Sequence, residues 1–339
     1  MKPRVIEWLA CPVCGGHLSL QDANPADEVE NGALACPDGH IFPIASGVPR
    51  LSPDDVLEEG RAEADSIRES FSHEWAHFEF GEDRTWGASV EQRREEFLRH
   101  VNLSPEELEG KLVLDAGCGN GSLSRAIASF GCDVLAADIG RQVVDAHRHF
   151  SRDDDGRTNY VQANLMHPPF ARDTFDVVFC AGVLHHTPST KATFDTLVPA
   201  LAPGGTIFVW LYHHVPGRLM ALKSKLRQGI SRMPAPVKER LVKYVFLPQA
   251  MLRQYLRTAL GRNEPVDRLK WRERLVILLD SYTPRYRWEH TPEELAGWYR
   301  ELGFTDIEVT ERGQWGFGVA ARRPQVPDGA QNEAVSAAV

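Results

Sequence analysis

Three glycines in five positions, Gly117, Gly119 and Gly121, separate an apolar run from a helical one in VLDAGCGNGSLSRAIASFG, residues 113–131. A strand that ends in such a turn and opens a helix has few shapes open to it. Glycine enters the left-handed backbone region without steric cost, and its missing side chain lets a ligand approach bare amides. The stretch therefore predicts one βα unit of an α/β sheet with a ligand at the turn. A dinucleotide fold would need Gly-x-Gly-x-x-Gly to seat a pyrophosphate on the helix N-terminus. Gly117 and Gly119 fit that spacing, but the third place is Ser122. Asp115 closes the strand, and its charge would repel a phosphate by roughly a few kcal/mol in a partly buried site. A cationic ligand would be welcome there.

A second apolar run, CDVLAADIG at residues 132–140, ends in Asp138, a carboxylate able to accept both hydroxyls of a ribose. Dinucleotide folds place an acid at a similar offset, so Asp115 and not Asp138 discriminates between the ligands. FDVVFCAGVLHHT follows at 175–187. Through Asp115-x-Gly117-x-Gly119-x-Gly121, Asp138 and this third segment, the chain resembles the class I methyltransferase family over roughly residues 109–212 and 290–322. The cofactor this implies is S-adenosylmethionine, which carries an ammonium and a sulfonium but no phosphate. Carried over position by position, the resemblance implies that Asp115 and the loop glycines face the methionine part, Asp138 holds the ribose and Ile139 packs on adenine. Asn164 in YVQANLMHPPF stands where the family often has an Asp for the adenine amino group, and its side-chain oxygen can still accept. Cys118, Leu165 and Cys180 complete the expected cofactor site, although the two cysteines and Cys132 also read as small buried hydrophobes.

The surrounding pattern predicts the matching fold, an α/β doubly wound, seven-stranded, mostly parallel sheet. Strands at about 112–116, 133–138, 159–163, 175–180 and 206–212 alternate with helices near 121–130, 141–149 and 190–201, and LAPGG reads as a helix stop and turn before the fifth strand. SVEQRREEFLRHV reads as a preceding helix. HTPEELAGWYRELGF predicts a later one with Thr291 as N-cap and Pro292 in the first turn. TDIEVT and GFGVAARR then supply two strands, which the resemblance implies close the sheet as an antiparallel hairpin.

The first fifty residues form a different unit. Cys11-x-x-Cys14 and Cys36-x-x-x-His40 lie in turn-like CPVCGG and CPDGH, and two such knuckles close the tetrahedral sphere of a structural zinc. With few apolar side chains, this unit needs such a staple. The pattern resembles the zinc ribbons at the N-terminus of bacterial ribosomal-RNA guanine methyltransferases, and FPIASGVPRL resembles small zinc-ribbon activator proteins that partner methyltransferases. The expected order is then ribbon (1–50), linker and N-terminal helices (51–108), cofactor-binding core (109–212), basic helical insert or cap (213–289), end of the core (290–322) and a disordered tail (323–339). FSHEWAHFEFGEDRTWG, residues 71–87, is either a lid over the cofactor pocket that supplies part of the acceptor site or an amphipathic helix docked by its aromatic stripe.

Charge is divided unevenly. The net charge of -9 comprises 17 Lys+Arg against 6 Asp+Glu in residues 213–290, a balance of +11, and therefore -20 elsewhere. The basic insert is helical and amphipathic, and three readings stay open for it: an active-site cap, a homodimer surface, or contact with a polyanion or anionic membrane. No apolar run of about 18 residues predicts a membrane span, and MKPRVIEWLACPVCGG lacks a signal-peptide core. Six cysteines without a secretory signal point to a reducing cytoplasm.

Ligands of such sheets bind beyond the carboxyl ends of the strands, which makes His185 and His186 after the fourth strand, and Tyr212, His213 and His214 after the fifth, the catalytic candidates. A histidine there could take a proton from a hydroxyl, amine or thiol, with His185 the first choice. LLDSYTPRYRWEHTPEE adds Asp280, Tyr282, Arg285, Tyr286, Arg287, Glu289 and His290. Its arginines and aromatics suit an anionic or planar acceptor, or equally a loop whose arginines satisfy acidic neighbours. Among these, Tyr282 joins His185, His186 and His213 as a catalytic candidate. The reading these residues support is an S-adenosylmethionine-dependent methyltransferase acting on an O, N or S nucleophile of a small molecule. RNA base methylation of the ribosomal guanine type is the alternative, drawing on the ribbon and the basic insert. Against it stand a pI of 5.8 and AGVLHH where a base-clamping Asn-Pro-Pro-Tyr motif would lie. A non-catalytic binding or activating module is the third reading.

Overall fold

The computed structural model describes residues 1–21, 28–53, 61–75, 84–85, 88–150, 156–261, 270–313 and 315–325. In the N-terminal unit, β1 (Ser19–Gln21), β2 (Gly32–Ala35), β3 (Ile41–Ala45) and β4 (Val48–Leu51) form an antiparallel ribbon. Next come α1 (Arg61–Trp75), the short pair β5 (Arg84–Thr85) and β6 (Ala88–Ser89), α2 (Val90–Val101) and α3 (Pro105–Leu108). Ser89 caps α2 by accepting from the Gln92 amide while the Gln92 side chain returns to the Ser89 amide.

The core then alternates through β7 (Leu112–Ala116), α4 (Ser122–Ala128), β8 (Asp133–Asp138), α5 (Gln142–Phe150), β9 (Thr158–Ala163), β10 (Phe175–Ala181), α6 (Thr190–Leu197) and β11 (Leu201–Tyr212). The insert holds α7 (Arg218–Ser231), α8 (Ala235–Leu241), α9 (Leu247–Ala259) and α10 (Trp271–Tyr282). The chain returns through α11 (Pro292–Glu301), β12 (Thr305–Arg312) and β13 (Gly316–Arg322). The core strand order is β9-β8-β7-β10-β11-β13-β12, with β7 to β11 parallel and β13 antiparallel to both its neighbours. This is the doubly wound sheet that the alternation predicts, with the predicted hairpin at its edge. Thr291 caps α11 by accepting from the Glu294 amide, and Pro292 occupies the first turn.

Two features depart from expectation. LAPGG does not break the chain before β11: Leu201 already pairs with Phe175, and Gly204, at φ +79°, lies inside the strand. The helix has stopped earlier, at Leu197, before Pro199. A glycine in the left-handed region can bulge a strand rather than end it.

The ribbon is also not a separate unit. β4 pairs in parallel with β9, Arg50 opposite Gln162 and Leu51 opposite Ala163, so the whole forms one eleven-stranded sheet. The core follows that continuity. Leu9, Leu18, Leu34 and Phe42 of the ribbon share a single buried cluster with Leu114, Leu135 and Val161. Arg4 forks onto Asp133 at 2.7 and 3.1 Å, and the Ala10 and Pro169 backbones join at 2.9 Å. No helix among the described residues is long and apolar enough to cross a membrane.

Candidate active site

The glycine turn after β7 satisfies its own amides. Gly117 and Cys118 donate to the Ala137 carbonyl at 2.7 and 3.0 Å, Gly119 donates to Asp138 Oδ2 at 3.0 Å, and Ser122 donates to Asn120 Oδ1 at 3.2 Å. A phosphate needs these groups pointed at itself; here they lace the turn to the tip of β8. Gly117, at φ +91°, must be glycine for a second reason: a Cβ there would run into Val183 of the segment after β10. The turn is thus clamped between two strand ends.

Asp115 is buried and accepts from Ser124 Oγ at 2.6 Å. Burial pushes its carboxyl up to about 6, against the pull of Ser124 and of the Arg93 guanidinium on α2. Asp138 is also buried and raised by that burial. Its Oδ1 accepts from Gly140 N and Gln142 Nε2, both at 2.8 Å, and its Oδ2 accepts from Gly119. The other end of the Gln142 amide, Oε1, is buried with no hydrogen-bond partner. A ligand hydroxyl beside Asp138 would satisfy that oxygen, so the site fits a diol-bearing group. A bidentate grip on a diol requires Gln142 to release Oδ1. Ile139, half-buried, follows Asp138, and its carbonyl accepts from Gln162 Nε2 at 3.0 Å. Asn164 Oδ1 accepts from the Met166 amide at 3.0 Å, inside the turn after β9. Leu165, Cys118 and Cys180 are buried, and burial raises both thiols.

Beyond β10 and β11 the polar groups come from four separate segments. The His185 ring is fully buried, neither ring nitrogen has a hydrogen-bond partner, and burial lowers its pKa well below the ordinary histidine value. It stands 4.3 Å, centroid to centroid, from both His186 and Tyr212. His186 Nδ1 faces the Tyr286 carbonyl at 2.9 Å, so that nitrogen carries a proton and donates it there. Its Nε2 faces Asp280 Oδ1 at 3.3 Å, and Asp280 Oδ2 accepts from the Tyr212 hydroxyl. Burial alone would raise Asp280, but His186 and Tyr212 outweigh it and hold the carboxyl low. Phe71 of α1 packs edge-on against His186 at 5.1 Å.

The segment after α10 works as a latch. Trp288 donates through its backbone to the His185 carbonyl and through Nε1 to the Thr187 carbonyl. His290 meets Thr190 at 2.9 Å. Arg287 lies 3.8 Å over the Tyr212 ring and binds Glu289, and Arg285 pairs with Glu63 of α1. Both arginines therefore satisfy acidic neighbours. The structure does not bring His213 and Tyr282 into this group. His213 is exposed at the end of β11 with its edge toward Phe317, and Tyr282 stacks on Phe246 inside the insert's own apolar cluster. A cleft of about 620 Å³ opens beside the latch, lined by Ser66, Ser70, Arg232, Lys238, Thr283 and Tyr286 among others. Of the aromatic segment before β6, Phe71 is described, whereas His77, Phe78, Phe80 and Trp86 lie outside the described residues.

Sequence reasoning missed Arg93, Ser124 and Gln142. Gln142 had a signal, four residues after Asp138 at the start of a helix; Arg93 had none, because only packing brings α2 to Asp115. In the ribbon, the ligating atoms of Cys11, Cys14, Cys36 and His40 all lie within 4.8 Å of one another. Three thiols and an imidazole so placed fit a tetrahedral zinc with no open position.

Comparison with known proteins agrees with both halves. Residues 114–209 match the family described as "Methyltransferase domain", and residues 2–47 match "Trm112p-like protein". The ubiquinone biosynthesis O-methyltransferase of Aliivibrio fischeri strain ES114 is 32% identical over 112 residues, 33% of this chain and 48% of that protein. The enzyme of the same name from Pectobacterium carotovorum is likewise 32% identical, over 33% of this chain and 47% of its own length. The chain thus spans about half the length of these curated relatives. Among solved structures, the Burkholderia thailandensis 1,6-didemethyltoxoflavin-N1-methyltransferase overlaps 79% of this chain and 92% of its own at 16% identity and a TM-score of 0.46. The magnesium protoporphyrin IX methyltransferase of Synechocystis PCC 6803 with bound SAM overlaps 79% and 98%, also at 16% identity and 0.46.

Proposed function

We propose that this chain transfers the methyl group of S-adenosylmethionine to an O, N or S nucleophile of a small molecule. The observation that carries this reading is the turn after β7, which spends its amides on the tip of β8 while keeping two buried carboxylates, Asp115 and Asp138, beside it. A phosphate would meet two repelling charges there, with the amides of Gly117, Cys118 and Gly119 already given to Ala137 and Asp138. An ammonium and a ribose diol would find acceptors.

The cofactor supplies a methyl carbon already activated by its sulfonium. What remains for the protein is to align the acceptor and exclude water. In this reading Asp115 holds the ammonium, Arg93 faces the cofactor carboxylate, and Asp138 with Gln142 Oε1 takes the ribose hydroxyls. Asn164 and Ile139 meet adenine. His185, neutral and unpartnered, takes the acceptor's proton at a ring nitrogen, and His186, held by Tyr286 and Asp280, fixes the wall behind it. The insert serves as the cap, with the cleft beside Tyr286 as the acceptor's entry. The curated relatives named for ubiquinone biosynthesis favour oxygen as the acceptor atom.

Incubating the protein with methyl-labelled cofactor and either a metabolite extract or total RNA tests the substrate class. Label should enter the metabolite fraction; label in RNA would overturn the small-molecule reading, and binding without transfer to either would make the chain a scaffold. Asp138→Ala should weaken cofactor binding by roughly 1.5–3 kcal/mol, and an unchanged affinity in titration calorimetry would remove the ribose assignment.

A further inference from the structure

The insert contains a helix that is apolar on two sides. α8 and α9 run into each other through one π-type turn at Val242–Phe246, giving a nearly continuous helix from Ala235 to Ala259, about 37 Å long. One side is spent inside the insert, where Val242 and Leu247 pack with Leu275 and Leu279 of α10. The other side carries a second stripe at helical spacing, Val245, Leu252, Tyr255, Leu256 and Leu260, and it faces solvent. Leu252 is 58%, Tyr255 70% and Leu260 75% exposed. A helix apolar on both sides is ordinarily covered on both. Scattered exposed leucines need no explanation, but a stripe along one helix does.

The charges beside the stripe identify what covers it. From residue 235 to 260 the sequence has Lys238, Arg240, Lys243, Arg253 and Arg257 against the single carboxylate Glu239. Arg240, Lys243 and Arg253 are exposed along with the stripe. A second copy of the chain, packed about a two-fold axis, would bring these cations against their own images. RNA would answer the cations, but its single strands are gripped by stacking on planar side chains, and most of this stripe is aliphatic. An anionic bilayer answers both halves: acyl chains take the leucines and valine, headgroups take the arginines and lysines, and the two tyrosines, Tyr244 and Tyr255, suit the boundary between them.

We propose that the outer face of the helix spanning α8 and α9 docks this protein on an anionic lipid surface, lying in the interface without crossing it. This interaction is separate from methyl transfer and stands whether or not the reading of the active site holds. It does have a route to that site, because α10 packs on the buried side of this helix and carries Asp280, the partner of His186.

The test is co-sedimentation of the full chain with vesicles of equimolar phosphatidylglycerol and phosphatidylcholine, and with phosphatidylcholine alone. Binding is expected to the first and not the second, and it should weaken as salt rises. The triple substitution Leu252→Ser, Leu256→Ser and Leu260→Ser should reduce it about tenfold or more. Arg240→Glu with Lys243→Glu and Arg253→Glu should abolish the preference for the anionic lipid. All six side chains are exposed, so both variants should keep the parent's thermal midpoint and circular dichroism. Absence of binding to either vesicle overturns the proposal. So does vesicle binding unchanged by the leucine variant, a lipid-free dimer that this variant dissolves, or binding of total RNA that this variant abolishes.

Discussion

The tip of β7 and β8 and the tip of β10 and β11 lie side by side in one sheet and are built on opposite principles. At the first, the glycine turn donates its amides to β8, Ser124 donates to Asp115, and three donors converge on Asp138. Each of these hydrogen bonds joins residues within 115–142. At the second, His185 has no partner for either nitrogen, and its neighbours are held by side chains and carbonyls arriving from α1, α10 and the latch. The flanks differ too: the ribbon extends the sheet beside β9 on the first side, and α10 of the insert brings Asp280 to the second. A site assembled locally is prepared before its ligand arrives, whereas one assembled from distant segments owes its shape to the packing of those segments.

Breaking the ribbon is the severest way to separate the two tips. Cys36→Ser should remove the zinc, and with it folding free energy on the order of 10 kcal/mol. Metal analysis should give about one zinc per parent chain and none for the variant. Because β4 pairs with β9, cofactor affinity should fall as well, while the contacts of His186 with Asp280 stay intact.

Asp280→Ala probes the other side. Removing one partner of a buried pair typically costs about 3–5 kcal/mol, because the remaining group is left uncompensated. Thermal unfolding should show that loss, and turnover should drop more than cofactor affinity does. Equal losses of both would erase the distinction between the tips.

Asp115→Asn sharpens the comparison through charge. Since the folded-state carboxyl is raised from 3.8 to about 6, the folded chain holds its proton more tightly than the unfolded chain. Stability of the ligand-free protein therefore declines as pH rises from about 4 to about 6, by an amount on the order of 3 kcal/mol. Asp138, also raised by burial, adds a slope of the same sign. Asn at 115 should flatten the curve and stabilise the protein at neutral pH, yet weaken cofactor binding. In the parent, cofactor affinity should fall as pH drops through about 6, when Asp115 takes up its proton.

His185→Phe is the mildest change. It removes two buried nitrogens that nothing satisfies, so stability should hold or rise by about 1 kcal/mol, while turnover falls and cofactor affinity does not. Retained turnover would exclude His185 as the base.

The ease of reading these regions from sequence follows the same division. Asp115, Gly117 and Asp138 could be placed in advance because a strand end, a glycine turn and the next strand end are neighbours along the chain. Cys11, Cys14, Cys36 and His40 could be grouped because two knuckles each fix a pair of ligands locally. The parallel alternation likewise announced β7 to β11. His185 and His186 could be placed after a strand, but that Asp280 would meet His186 across nearly a hundred residues had no local signal. His213 and Tyr282 looked equivalent to them in sequence and were carried elsewhere by packing.

By itself, then, the order of residues determined the strands, the glycine turn with an acid at each adjoining strand end and the donor set for zinc, each arising from short-range backbone geometry and the chemistry of adjacent side chains. Only the tertiary structure decided that the ribbon would continue the sheet through β4 and β9, and that α2 would set the Arg93 charge where Asp115 feels it. It also decided that α10 would bury an acid against His186 while the helix outside it left an apolar stripe uncovered. Those outcomes depend on which surfaces exclude water against each other, a property of the folded whole that no window of sequence contains.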